Sequence, residues 1–248
     1  MTVFATYNIK GGVGKTAAAV NLAYCAAQAG HRSLVWDLDP QGAASFYFRV
    51  PPASGSTRQP LKGKGELENL VRGTAFPGLD LLPTNFAFRH LDVWLEAAKK
   101  PEARLGKRLK PLSRDYEYVF LDCPPTLSLA AESVFHAADV LLIPLIPTTL
   151  SLRAFEQLQV FLAEQGPRGL RRLAFFSMAD RRKKLHLDIM AALPGERPEI
   201  LGTVIPQASE VERMGPEQAP VGSFAATSKA ARAYRDLWQE IRQRLSPG

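Results

Sequence analysis

A chain of 248 residues with 46% apolar content can bury one substantial core, so one domain, or one domain with an insertion, is expected. Its net charge of +7 favours a polyanionic partner without naming one. Two cysteines without metal-ligand spacing and four scattered histidines argue against a disulfide scaffold and a zinc site. The lack of any apolar run near about eighteen residues, and of a basic-then-apolar leader, argues for a cytoplasmic protein.

The first element, residues 3–7, is an apolar run that reads as a short buried strand. It leads through Lys10, Gly11, Gly12, Val13, Gly14, Lys15, Thr16 and Ala17 into an Ala-rich helix over residues 17–29. Strand, glycine loop and helix in that order make a phosphate-binding context. Glycines let backbone N–H groups turn inward around phosphate oxygens, and the helix adds its unpaired N–H groups and dipole. Lys15 reaches phosphate as a point charge, and the Thr16 hydroxyl suits Mg²⁺. The ordinary G-x-x-x-x-G-K-[ST] pattern is not fully met: its first glycine falls at Ile9, and Lys10 precedes the glycine pair instead.

Gly30 is a natural stop for that helix, and residues 33–38 form a second buried strand ending in Asp37-Leu38-Asp39-Pro40-Gln41-Gly42. Carboxylates at the end of a parallel strand face the crevice where open α/β sheets bind ligands; a solvated Asp-Pro turn is the other reading of this run alone. Residues 50–65, rich in Pro, Ser, Gly and Lys, read as a flexible surface excursion. Residues 79–83 suggest a strand, 86–98 a helix, and the basic stretch 99–114 a solvated helix and loop. In residues 118–125 (Y-V-F-L-D-C-P-P), the apolar run ending in Asp122 forms a third strand and gives that carboxylate the geometry of a Walker B aspartate; Cys123, which follows, reads as a buried small side chain.

Further strands are expected at 138–145, 173–178 and 200–206, with a helix over 149–165 carrying Leu150, Phe155, Leu158, Phe161 and Leu162. Arg181, Arg182, Lys183 and Lys184 form a basic cluster that is either a solvated face or a binding surface. The last helix, 229–245, has Thr227 or Ser228 as N-cap and an apolar stripe of Tyr234, Leu237, Trp238, Ile241 and Leu245. That stripe packs on the sheet, anchors to a membrane surface, or stays buried while Lys229, Arg232 and Arg235 touch DNA.

Three ordered motifs resemble the ParA/MinD family of ATPases, closest to the Soj-like ParA partition ATPases: the deviant loop K-G-G-x-G-K-[ST], then D-x-D-P-Q-G, then D-x-P-P. The resemblance implies a P-loop α/β fold, a mostly parallel sheet flanked by helices on both faces, in one domain over residues 1–248. It implies slow, partner-stimulated, Mg²⁺-dependent hydrolysis of ATP in a homodimer that sandwiches the nucleotide. Lys10 then reaches the partner's phosphates, Asp39 positions the attacking water, Thr16 and Asp122 hold Mg²⁺ with Asp37 close by, and Ile205, Pro206 and Gln207 cradle the adenine. The family's basic C-terminal half implies nonspecific DNA binding on the nucleoid, through Arg181 to Lys184 and the last helix, with a ParB-like or other activating protein. ATP over GTP rests on the resemblance, since no N-K-x-D motif occurs, and starting at the first strand leaves no operator-reading domain. Two departures are Ser177-Met178-Ala179-Asp180, loosely matching N-x-[YF]-D-x-R, and Met214-Gly215-Pro216 in the late glycine-proline segment. The alternatives are a MinD-like membrane-associated ATPase and a nucleotide switch that binds neither DNA nor lipid.

Overall fold

The computed structural model describes residues 1–51, 67–84, 95–96 and 99–246. The expected helix at 86–98 and the excursion at 50–65 lie largely outside the described residues. Eight described strands form one sheet: β1 (Thr2–Thr6), β2 (Ser33–Asp37), β3 (Arg72–Gly73), β4 (Leu79–Leu82), β5 (Tyr118–Asp122), β6 (Val140–Leu145), β7 (Arg171–Ala179) and β8 (Ile200–Pro206). Their order is β3-β4-β2-β5-β1-β6-β7-β8, and every pairing is parallel except β3 with β4.

The strands read as continuous apolar runs because both faces of a parallel sheet are covered. Alternate residues part to opposite sides. Val3, Ala5, Leu34, Trp36, Leu121, Ile143 and Phe176 enter one core, and Phe4, Val35, Phe120, Leu142 and Phe175 enter the other. On the second side lies α1 (Lys15–Gln28), with the short α2 (Ala43–Tyr47) beyond it. The first core is covered by α3 (Arg104–Leu109), α4 (Leu129–Ala137), α5 (Thr149–Gln165) and the inner side of α6 (Lys184–Glu196). After β8 come three short helices, α7 (Ser209–Glu212), α8 (Met214–Glu217) and α9 (Val221–Phe224), then α10 (Lys229–Leu245), which returns to the α1 side.

One expectation changes, and two are made specific. The stretch 99–114 is not merely solvated: Leu105, Leu109 and Leu112, spaced for one helical face, are each about 1% exposed against the first core. Leu150 is 68% exposed in the first turn of α5, beyond the end of the strand it would need to cover. The stripe on α10 is buried, not available to a membrane: Tyr234, Leu237, Trp238 and Ile241 enter the core, and Trp238 meets the rings of Phe4, Tyr118 and Phe120 at 5.0–5.9 Å. Burying side chains of this size contributes about 1.5–3 kcal/mol each, so the stripe is held in the core. Ser228 is the N-cap, its Oγ accepting from the Ala231 N–H at 3.1 Å. No helix among the described residues is long and apolar enough to cross a membrane.

Candidate active site

Three neighbouring strands set the site. In the register of β2, β5 and β1, Asp122 stands beside Asp37 on one side and Thr6 on the other, all at the C-terminal edge of the sheet. The loop that leaves β1 turns through Gly12 and Gly14, both left-handed at φ 70° and 90°, where a side chain would be strained. A Cβ on Gly14 would also come 2.8 Å from the Ser177 Oγ of β7. Glycines in this conformation allow successive backbone N–H groups to converge on one anion.

Lys15 opens α1 and is buried, its Nζ donating to the Lys10 carbonyl at 3.3 Å. Burial lowers its pKa, while the charges of Asp122, Cys123 and Asp39 oppose the shift. Asp122 is fully buried, and neither of its carboxylate oxygens has a hydrogen-bond partner among the described residues. Burial foremost, then the charge of Asp37, pushes its pKa well up; the Thr16 hydroxyl and Lys15 favour the ionised form. The hydroxyl lies close enough for that influence without forming a hydrogen bond of good geometry. Asp37 uses one oxygen only, its Oδ2 accepting from Ser45 N at 2.8 Å and Ser45 Oγ at 2.7 Å. Its Oδ1 is buried without a partner, and burial raises its pKa to about 6 against the Ser45 bonds.

Three unpartnered, buried carboxylate oxygens on adjoining strands are costly unless a cation faces them. Oxygen donors with one hydroxyl suit a hard cation such as Mg²⁺. No group of three or more His, Cys, Asp or Glu able to hold a metal occurs among the described residues, so such an ion would complete its shell from water or a bound phosphate.

Asp39 stands half-exposed beyond this pair, its Oδ1 accepting from the Gln41 N–H at 2.9 Å. With Tyr7, Gln41, Cys123, Pro124 and Pro125 it lines a cavity of about 490 Å³, so the D-x-D-P-Q-G and D-C-P-P segments face one another. Cys123 is buried, as expected, and burial drives its pKa upward. Tyr7 donates its hydroxyl to the Thr126 carbonyl at 3.0 Å and stacks edge-on against Phe135.

Ile205, Pro206 and Gln207 end β8, two strands beyond β6, where the Gln207 N–H donates to the Ala179 carbonyl. The Ile205 side chain is in the core, which leaves the backbone, the half-exposed Pro206 ring and Gln207 to face a ligand. Arg181, Arg182, Lys183 and Lys184 are exposed where β7 gives way to α6. Arg182 is committed to Asp180 through two bonds of 2.9 and 3.0 Å. The far end of α10 is tied to the strands' starts by Arg171 on the Leu245 carbonyl and Arg244 on the Pro198 carbonyl. The helix thus runs against the strands, and exposed Lys229 and Arg232 stand at the same sheet edge as Arg181–Lys184, on the opposite face. Arg235 turns to the Ala226 carbonyl at 2.9 Å.

Sequence reasoning passed over Asn8 and Ser45. Asn8 is buried, accepts from Lys10 N at 2.9 Å and donates to the Pro144 carbonyl at 2.9 Å. Ser45, besides holding Asp37, accepts from the Thr84 N–H at 3.1 Å. An Asn two residues before a turn signals an Asx turn, so Asn8 had a local cue; Ser45 had none.

A family model described as an AAA domain matches residues 1–166. The Chromosome partitioning protein ParA of Myxococcus xanthus is 29% identical over 247 residues, covering 97% of this chain and 87% of that protein. The Chromosome-partitioning ATPase Soj of Treponema pallidum is 30% identical over 245 residues, covering 94% of each. Among solved structures, cobyrinic acid a,c-diamide synthase from Mycobacterium smegmatis, with bound ADP and magnesium, superposes with a TM-score of 0.79 at 26% identity, over 98% of this chain and 95% of that one. The family model over residues 1–166 and the similarity to ParA and Soj over nearly the whole chain mean that the chain belongs to the ParA/MinD family of P-loop ATPases.

Proposed function

We propose that this ParA-type ATPase forms a homodimer around ATP, binds DNA without sequence preference in that state, and releases it on hydrolysis stimulated by a ParB-like or other partner, so that a plasmid, chromosome or protein cargo is partitioned or positioned. The observation that carries the reading is the set of unpartnered Asp122 and Asp37 oxygens beside Thr16, with Lys15 laid over the loop. Lys15 and the inward N–H groups of Gly11 to Thr16 hold the phosphates, and Lys10 stabilises phosphate charge in the facing copy. Bound Mg²⁺ neutralises phosphate charge, and Thr16 and Asp122, with Asp37 beside them, are the residues that would hold it. Asp39, at the cavity shared with the D-C-P-P segment, orients the attacking water. The end of β8, from Ile205 to Gln207, takes the adenine through its backbone.

Residues 1–248 act as one ATPase domain. Nonspecific DNA binding uses phosphate contacts from Arg181, Lys183 and Lys184 on one face and Lys229 and Arg232 on the other. Arg182 and Arg235 contribute less, because each guanidinium has an internal partner. The buried stripe of α10 speaks against a MinD-like lipid anchor. The test is anisotropy of a labelled duplex of arbitrary sequence with ATP, with ADP and without nucleotide, over several salt concentrations. ATP-selective, salt-sensitive binding lost in Lys10→Ala is expected. Dimerisation on ATP with no binding to the duplex in any state would overturn DNA as the track and leave a protein switch.

A further inference from the structure

We infer that Asn8 is a positioning residue that holds Lys10 for its action on a second copy of this chain, an inference that rests on the trans role proposed above for Lys10. Asn8 is fully buried at the point where β1 becomes the loop. Both ends of its carboxamide are used: Oδ1 accepts from the Lys10 N–H, and Nδ2 donates to the Pro144 carbonyl of β6, each at 2.9 Å. The Lys10 carbonyl is taken in turn by the Lys15 ammonium at 3.3 Å. The Lys10 main chain is therefore gripped on both sides, one grip tied to a central strand and the other to the first residue of α1.

The Lys10 side chain has the opposite character. It is half-exposed and makes no ion pair among the described residues. A lysine is a point charge on a flexible four-carbon stem, so its reach across an interface is only as well defined as its Cα. The two glycines that follow, one of them left-handed, would let that Cα swing if its N–H were released. Asparagine suits the task by its chemistry. Aspartate has no donor for the Pro144 carbonyl, alanine has neither group, and serine keeps an acceptor for the Lys10 N–H while losing the reach to β6.

The test is a double-mutant cycle of Asn8→Ala with Lys10→Ala, read by phosphate release, by ATP-dependent dimerisation in sedimentation, and by affinity for a fluorescent N-methylanthraniloyl ATP. Asn8→Ala should slow phosphate release about tenfold, the scale on which small misplacements act, with analogue affinity kept within about twofold. In the Lys10→Ala background it should cost nothing further. Asn8→Ser should recover part of the loss, and it carries the test if the alanine variant fails to fold. An equal, additive loss in the Lys10→Ala background, or a loss explained by weaker analogue binding, overturns the inference and leaves the trans lysine standing. Lys10→Ala with unchanged turnover and dimerisation would instead sink the trans reading, and this inference with it.

Discussion

At the ends of β2 and β5, Asp37 and Asp122 are sealed from water with three oxygens unpartnered, and burial pushes both pKa values up. At the end of β7, Asp180, itself nearly buried, meets the exposed Arg182 in a two-pronged pair, and its pKa falls to about 2. These are the same side chain at the same edge of the same sheet. What separates them is the neighbour: Asp180 is met by a guanidinium from its own loop, whereas the Lys15 ammonium beside Asp122 donates to the Lys10 carbonyl instead. Buried carboxylate oxygens without hydrogen-bond partners mark a candidate binding site; a carboxylate paired within its own loop marks a satisfied one.

The strongest way to break the contrast is to remove charge from the buried side. Lys15→Ala should cut phosphate release from ATP by about 10²–10³-fold, the range for losing one preorganised contact to developing charge. Asp122→Asn should match it, yet raise the melting temperature of the nucleotide-free protein, because a desolvated anion is gone. Retained hydrolysis in either variant would remove the site from this edge.

Next in size is the pH dependence. Asp37 titrates at about 6 when folded, against about 3.9 when unfolded. Between those values the folded chain binds more protons at Asp37, so the Asp37 share of the stability of the nucleotide-free protein in EDTA falls as pH rises from about 4 to about 6. The difference amounts to about 3 kcal/mol at pH 7, and Asp37→Asn should shrink the fall by that share in urea melts at pH 4.5 and 7, leaving the part that Asp122 contributes with the same sign. Asp180 has the opposite sign: its lowered pKa supports the fold above about pH 4, and the support is lost as pH drops toward 2. Arg182→Gln should remove that share of the acid-induced loss.

Smaller effects sharpen the surface side. Lys183→Ala and Lys184→Ala should each weaken ATP-dependent duplex binding and reduce the slope of log affinity against log salt by about 1. Unchanged slopes would return that cluster to a solvated face. Tyr7→Phe removes one hydroxyl bond to the Thr126 carbonyl and leaves the ring stack, so a loss of about 1 kcal/mol in chemical denaturation is expected.

Most strands and the loop were legible because their signals are local. The apolar runs at 118–122 and 140–145, the glycines around Val13 and the aspartates that follow apolar strands all state their roles within a few residues. Helix 149–165 and strand 200–206 appear with the expected bounds. The stretch 99–114 is less legible because its basic residues outnumber the leucines at positions 105, 109 and 112 and mask their helical spacing.

The amino-acid sequence by itself determined the order of strand, phosphate loop and helix, the strand-end carboxylates and the amphipathic last helix, since backbone preference and side-chain period act over short range. Only the tertiary structure decided which charges lack partners, that Asn8 is anchored to the carbonyl of Pro144, 136 residues away, that Ser45 claims one oxygen of Asp37, and that the α10 stripe meets Phe4 and Phe120 and not a membrane. Those outcomes depend on which strands become neighbours, and strand order is set by packing between segments far apart in the chain.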